Sequence, residues 1–158
     1  GWHAFYVVSS WLGRPQFVRA QLTTRRRGSF STEDTALIDL DYEYASAEIF
    51  LTWAADERAN RVEVEGTRGM LRIDGGTVSL ETAQAASGQL LWEMSSLADG
   101  SHHPDWFGGV IDGFLVEIED TSARGRSLDE AALCVTLVSL AQESSRLGEA
   151  LRLPEITQ

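Results

Sequence analysis

The 158-residue sequence contains no lysine; all 13 of its basic residues are arginine. That absence removes Schiff-base chemistry, a lysine general acid and a phosphate-loop lysine from anything the chain does unaided. Cysteine occurs once, at Cys134, which excludes an internal disulfide and a multi-cysteine metal centre and is compatible with a reducing cytoplasm. No apolar run approaches the ~20 residues of a membrane-spanning helix. Nor does the start show a basic segment, apolar stretch and small-residue cleavage site in succession. The phosphate-cradling patterns GxGxxG and GxxxxGK[ST] are missing too, so the chain should not bind a dinucleotide alone. Positive charge is scarce: a net charge of -11 disfavours nucleic acid and anionic membranes, because phosphate binding needs clustered cations. The one basic cluster, Arg25 to Arg27 beside Gly28, reads as a solvated turn.

What is present is ordinary globular material, 43% hydrophobic and 23% charged, at a length that suggests one domain over residues 1–158. Tyr6, Val7, Ser10 and Trp11 follow His3 at helical spacing, and Gly13 and Pro15 supply a stop, so the chain opens on a short helix. Period-two alternation then predicts a strand over Phe17 to Thr24 and an antiparallel hairpin from Asp34 to Tyr44 and Ala45 to Ala54. In that hairpin Ala36, Ile38, Leu40 and Tyr42 share one face, as do Ala45, Ala47, Ile49, Leu51 and Trp53. Shorter strands are expected at Arg61 to Glu65, Met70 to Ile73 and Thr77 to Leu80, joined by Gly66-Thr67-Arg68-Gly69 and Asp74-Gly75-Gly76, turn chemistry in which positive φ is cheap. A last strand, Gln89 to Met94, follows a small-residue loop from Ala83 to Gly88.

The period then changes. Phe107, Ile111, Phe114 and Ile118 are spaced for one face of a helix with Asp105 as N-cap. Ser127 and Glu130 read as the capping box of another, with Leu133, Leu137, Leu140 and Leu147 as its stripe. Helices bracketing strands give an α+β fold, a large open and mostly antiparallel sheet with helices packed on one face. Phe50, Trp53 and Trp92 cannot all point inward by simple alternation, and an uncovered apolar sheet face would mark a partner or dimer surface.

Two places carry candidate chemistry. His3, Tyr6 and Ser10 line one helix face, and histidine is the side chain best suited to proton transfer near neutral pH. His102-His103-Pro104-Asp105-Trp106 is a polar loop before a helix, where binding residues tend to sit. Its adjacent histidines are poorly spaced for a metal, and no metal is assigned. Ser9-Ser10 and Ser144-Ser145 lack a nucleophile-elbow context, and Cys134, between Leu133 and Val135 in mid-helix, reads as a buried thiol.

Together these stretches resemble the C-terminal domain of the glucose-fructose oxidoreductase and inositol dehydrogenase family (Gfo/Idh/MocA). GWHAFYVVSSWLGRP is similar to its GxHxxDxxxxxxG stretch, DTALIDLDYEYASAEIFLTW to its strand pair ending in sW, VEVEGTRGMLRID to its v-x-G-t-x-G-x-l turn, and SLDEAALCVTLVSLAQESSRLGEALRLP to its closing helix. The resemblance implies a dihydrodipicolinate-reductase-like C-terminal domain that shapes a substrate site and forms a homodimer through its open sheet face. It also implies that the N-terminal Rossmann domain, which binds NAD or NADP and carries the family's EKP lysine, lies outside this sequence. The chain would then be the substrate-binding and oligomerisation domain of a cytoplasmic oxidoreductase acting on a sugar, cyclitol or related hydroxylated small molecule, inactive by itself. The alternative is a non-catalytic module that binds a small ligand or a protein and dimerises through the sheet.

His3 falls on the family's motif histidine, which contacts the substrate carbinol or helps relay its proton. Tyr6 stands where the pattern has aspartate; it can hydrogen-bond a substrate hydroxyl, but an ordinary pKa near ~10 makes it a poor base at neutral pH. The resemblance thus implies His3 and Tyr6 as catalytic residues, and His3, Tyr6, Ser10, His102, His103 and Trp106 as substrate contacts.

Overall fold

The structure, a computed structural model, describes residues 1–26, 32–83, 85–93 and 106–155, with side chains described at all of these except 85–88 and 106. It divides into two compact units, Gly1–Ala54 with Asp112–Gln158, and Ala55–Ile111.

The first unit begins with helix α1 (Trp2–Leu12), which ends at Gly13, where φ is +78° and the amide donates to the Ser9 carbonyl at 2.8 Å. Strands β1 (Phe17–Thr23), β2 (Thr35–Asp41) and β3 (Ser46–Thr52) pair antiparallel, in the register Val18 to Leu40 to Ala47 and Ala20 to Ile38 to Ile49. The expected alternation is what they bury: Val18, Ala20, Ile38, Leu40 and Ile49 form the core with Ala36, Tyr42, Ala47 and Leu51 packed around them. Trp53 lies past the end of β3 and is 89% exposed, so it does not continue that face.

Helix α3 (Arg126–Leu147) lies across β1 and also packs on α1, adding Cys134, Leu137 and Ala141 to the core, while α1 adds Phe5. Leu133 and Leu140 flank this stripe as expected, but Leu147, in the last turn, is exposed. After the Gly148 C-cap, the two-residue strand β8 (Leu151–Arg152) pairs with Phe17 and Val18, giving the sheet order β3-β2-β1-β8. Two residues are too few to show a period, so β8 has no sequence signal.

Because β8 stops so early, the rest of that edge of β1 needs other partners. The Ser144 hydroxyl, fully buried, accepts from the Ala20 amide at 3.0 Å and donates to the Glu149 carbonyl at 2.5 Å. Ser145 Oγ accepts from the Leu22 amide at 2.9 Å. The Ser144-Ser145 pair therefore supplies hydrogen bonds that a longer strand would otherwise provide.

The capping box expected at Ser127 and Glu130 is not formed. Gly125 is the N-cap residue, and the groups at this end of α3 bond to Glu117 instead. The Glu117 carboxylate accepts from the Gly125 and Ser127 amides, each at 3.0 Å, and from the Ser127 hydroxyl. The acceptor comes from α2 (Trp106–Glu119), ten residues back, a distance a local spacing rule does not reach. Phe107, Ile111, Phe114 and Ile118 of α2 are all exposed, and the proposed Asp105 cap lies outside the described residues.

The second unit is built on a sheet of order β4-β5-β6-β7: β4 (Arg61–Gly66), β5 (Gly69–Asp74), β6 (Thr77–Thr82) and β7 (Ala85–Glu93). Both expected glycine junctions are two-residue turns, Gly66 pairing with Gly69 and Asp74 with Thr77. A Cβ at Gly69 would fall 2.1 Å from the Glu81 carbonyl oxygen, so the register of β5 on β6 requires glycine there. The loop expected over Ala83 to Gly88 is mostly strand: β7 starts at Ala85, which pairs with Thr82. Backbone pairing with β6 outweighs the weak strand preference of small side chains. The fold is thus α+β with antiparallel strands, carried in two four-stranded sheets, with α1 and α3 covering the first.

Ser144→Ala leaves the Ala20 amide and the Glu149 carbonyl without their partner, and should lower unfolding free energy by about 1–3 kcal/mol, read from urea denaturation. Four carboxylates are held below their ordinary values: Asp34 by the Arg25 and Arg26 amides, Glu117 by Ser127, Asp120 by Ser122, and Glu143 by Arg146. A depressed folded value means their stabilisation is complete above the ordinary 4.5 and 3.8 and is lost as pH falls through the folded values. The urea midpoint should fall with pH in that range, and less steeply in Asp34→Asn, whose own contribution no longer titrates.

Candidate functional site

The outward face of α1 is fixed by what its inward face buries. Phe5 is 2% exposed, with Ala4 and Val8 packed beside it in the core. A 3.6-residue period then turns His3, Tyr6 and Ser10 to the opposite side, and all three are exposed. The structure therefore brings His3, Tyr6 and Ser10 onto one solvent-facing strip, with the Ser10 hydroxyl donating to the Val7 carbonyl at 2.8 Å. His3 is not enclosed by apolar side chains.

Tyr6 has neighbours that its own helix does not supply. Its pKa is raised, first by the charge of the Glu130 carboxylate on α3 and then by burial. Arg126 opposes the shift, and Cys134 adds slightly to it. Arg126 Nε lies 3.5 Å from Glu130 Oε1, an i,i+4 ion pair on α3. Glu130 and Arg126 are the residues that sequence reasoning did not place here. The sequence spacing points Glu130 to a cap, and only the packing of α3 on α1 brings its charge near Tyr6.

Behind this strip the polar groups are structural. Burial raises Cys134, which is 1% exposed. Tyr42 is pushed up to about 12 by burial, with the Ser9 hydroxyl beside it acting in the opposite direction. Arg25 lies over the Phe50 ring, 5.8 Å from its centroid, and the Arg25 and Arg26 amides donate to Asp34 at 2.9 and 2.7 Å. Arg25 and Arg26 are thus tied to Asp34 through their backbone, while Arg27 and Gly28 lie outside the described residues.

Two shallow depressions of about 260 and 380 Å³ lie on the first unit, one at β1 with Ser145 and Gly148, the other over Arg19, Asp39, Asp41 and Glu48. Neither is lined by His3, Tyr6 or Ser10. His102 and His103 lie outside the described residues, and Trp106 is placed as the first residue of α2. Among the described residues, no group of three or more His, Cys, Asp or Glu side chains could hold a metal ion. Every strand pairing among the described residues is antiparallel. No described helix is long and apolar enough to cross a membrane.

Residues 1–72 match the family model of the GFO/IDH/MocA C-terminal domain. No curated protein is a significant match. Among solved structures, the chain is similar to an oxidoreductase from Agrobacterium radiobacter determined with NAD+, L-tartaric acid and magnesium. The TM-score is 0.67 at 19% identity, covering 96% of this chain and 47% of that one. It is similar to the WlbA dehydrogenase from Bordetella pertussis in complex with NADH and UDP-GlcNAcA, with TM-score 0.61, 20% identity, and 98% and 44% coverage. A Sinorhizobium meliloti protein assigned as a myo-inositol dehydrogenase gives TM-score 0.70, 17% identity, and 97% and 48% coverage. At such identities the likeness establishes the fold, and the chain spans about half the length of these relatives.

Proposed function

We propose that this chain, which matches the Gfo/Idh/MocA C-terminal domain in sequence over residues 1–72 and has that domain's fold, is the substrate-binding domain of an NAD- or NADP-dependent oxidoreductase. Its substrate class is a sugar, a cyclitol or a related hydroxylated small molecule. The observation that carries this reading is the polar strip of α1: His3, Tyr6 and Ser10 are turned outward together, within the part of the chain that matches the family model. Complexes of the fold relatives with NAD+ or NADH support the cofactor assignment.

The nicotinamide, held by a Rossmann domain of the parent protein, supplies the hydride acceptor or donor. The residues of this chain orient the substrate. His3 hydrogen-bonds a substrate hydroxyl and moves its proton, Tyr6 accepts or donates a second hydrogen bond, and Ser10 extends the strip by one turn. His102, His103 and Trp106, ahead of and at the start of α2, are proposed as further substrate contacts. The isolated chain would be inactive and the parent cytoplasmic. In the parent protein, His3→Ala should lower kcat/KM for a sugar or cyclitol by about 10²–10⁴-fold. A parent whose protein fluorescence and nicotinamide signal never respond to each other, and which turns over none of these substrates, would instead be the non-catalytic module.

A second property, a homodimer formed through an open sheet face, is supported by the β4–β7 sheet. Its register places Val62, Ile73, Val78 and Trp92 in one row and Val64, Leu71 and Leu80 in the next, all on one face. None of these side chains is buried. Pairing two such faces would need to cover roughly 800 Å² per partner. Light scattering at tens of micromolar should give a dimer mass that Val64→Glu halves; a monomer for the unmodified chain would refute the assignment.

A further inference from the structure

The polar strip of α1 has an aromatic edge that hydrogen bonding does not account for. Trp2 opens the helix, lies next to His3 and stands four residues before Tyr6, so Trp2, Tyr6 and Ser10 form one i, i+4, i+8 ridge with His3 alongside. The Trp2 side chain is 40% exposed, although indole is among the largest apolar surfaces a chain can bury. Its place is nevertheless fixed. The Gly1 carbonyl accepts from the Ala4 and Phe5 amides at 3.1 and 3.4 Å, and Phe5 is buried in the core, so the turn that carries Trp2 is anchored from within. A Cβ at Gly1 would meet Leu51 Cδ1 at 3.8 Å, which sets the start of the helix against β3. α1 carries no aspartate, glutamate or arginine, so this surface suits an uncharged ligand.

We propose that Trp2 is a specificity-determining residue: its indole packs on the C–H face of a ring whose hydroxyls are held by His3 and Tyr6, so that the site selects cyclic over open-chain polyols. The proposal rests on reading the α1 strip as the substrate site. A hydroxylated ring is polar around its rim and carries C–H groups on its faces. Hydrogen-bonding side chains recognise the rim, and an aromatic face beside them removes the C–H surface from water. An open-chain polyol with the same number of hydroxyls offers the same hydrogen bonds, but lies flat on indole only after several C–C rotations are frozen. Trp2 is placed for this because it adjoins His3 and lies one turn from Tyr6. Trp11, also exposed, is not: it stands eight residues beyond His3, about 12 Å along the axis, farther than a single ring reaches.

The test compares binding of myo-inositol and D-glucitol, which carry equal numbers of hydroxyls, to the full parent protein by titration calorimetry. The unmodified parent should prefer myo-inositol. Trp2→Ala should reduce that preference about tenfold, while Trp2→Phe, which keeps an aromatic face, should retain most of it. Trp2→Leu, which keeps apolar bulk without a ring, should behave as Trp2→Ala does and serves where the alanine variant does not fold. His3→Ala should weaken both ligands together, and Trp11→Ala should leave the preference unchanged.

Equal losses for both ligands in Trp2→Ala, or the same loss of preference in Trp11→Ala, overturn the proposal. A parent that binds both ligands in a His3-dependent way, with a preference that Trp2→Ala does not alter or with none at all, overturns the role of Trp2 and leaves the substrate reading standing. Binding of neither ligand by the unmodified parent refutes the substrate reading and this proposal with it.

Discussion

The hydrogen bond from the Ala20 amide to the Ser144 hydroxyl is the constraint around which the first unit is arranged. β1 is flanked by β2 along its whole length, but on its other side β8 pairs with Phe17 and Val18 only. The amides of Ala20 and Leu22 would otherwise lie under α3 without partners, which is costly away from water. Ser144 and Ser145 supply the acceptors, and in doing so set the height and rotation of α3 on the sheet. With that rotation fixed, Leu137 and Ala141 fall on the core formed by Val18, Ala20, Ile38 and Leu40. The Ser144 hydroxyl also donates to the Glu149 carbonyl, and so turns the chain out of α3 toward β8.

The same rotation decides what happens at the other end of α3. Because the helix packs on both β1 and α1, the charge of Glu130 acts on Tyr6, and Arg126 lies beside Glu130. Glu117 holds that end in place from α2 by accepting the hydrogen bonds expected of a local cap. The exposed strip of His3, Tyr6 and Ser10 thus lies on a helix whose buried side is packed and whose neighbour is tied at both ends. Polar side chains can be held for recognition when the helices presenting them have little freedom.

Legibility followed how local each cause was. The alternation of Val18 with Arg19 and of Ile38 with Asp39 placed the core faces, because a strand sends successive side chains to opposite sides whatever lies around it. The Gly66–Gly69 and Gly75-Gly76 junctions were readable for the same reason, since a two-residue turn is satisfied within itself. Trp53 and Leu147 were missed at element ends, where the periods stop; the other failures were non-local. Small residues from Ala85 onward look like a loop, yet pair with β6; Ser127 and Glu130 look like a box, yet their partners are Glu117 and Arg126.

The sequence alone determined the α+β class, most of the elements, the apolar faces of β2 and β3 and the grouping of His3, Tyr6 and Ser10. These follow from periodicity and turn chemistry, which depend on a few consecutive residues. Only the tertiary structure decided that the strands divide into two sheets, that Ser144 and Ser145 complete the edge of β1, and that the charge of a carboxylate on α3 acts on Tyr6. Each of those depends on groups far apart in the chain, tens to more than 120 positions in the case of Ala20 and Ser144. Their meeting is governed by packing and by the need to satisfy buried backbone groups, and no spacing rule along the chain records it.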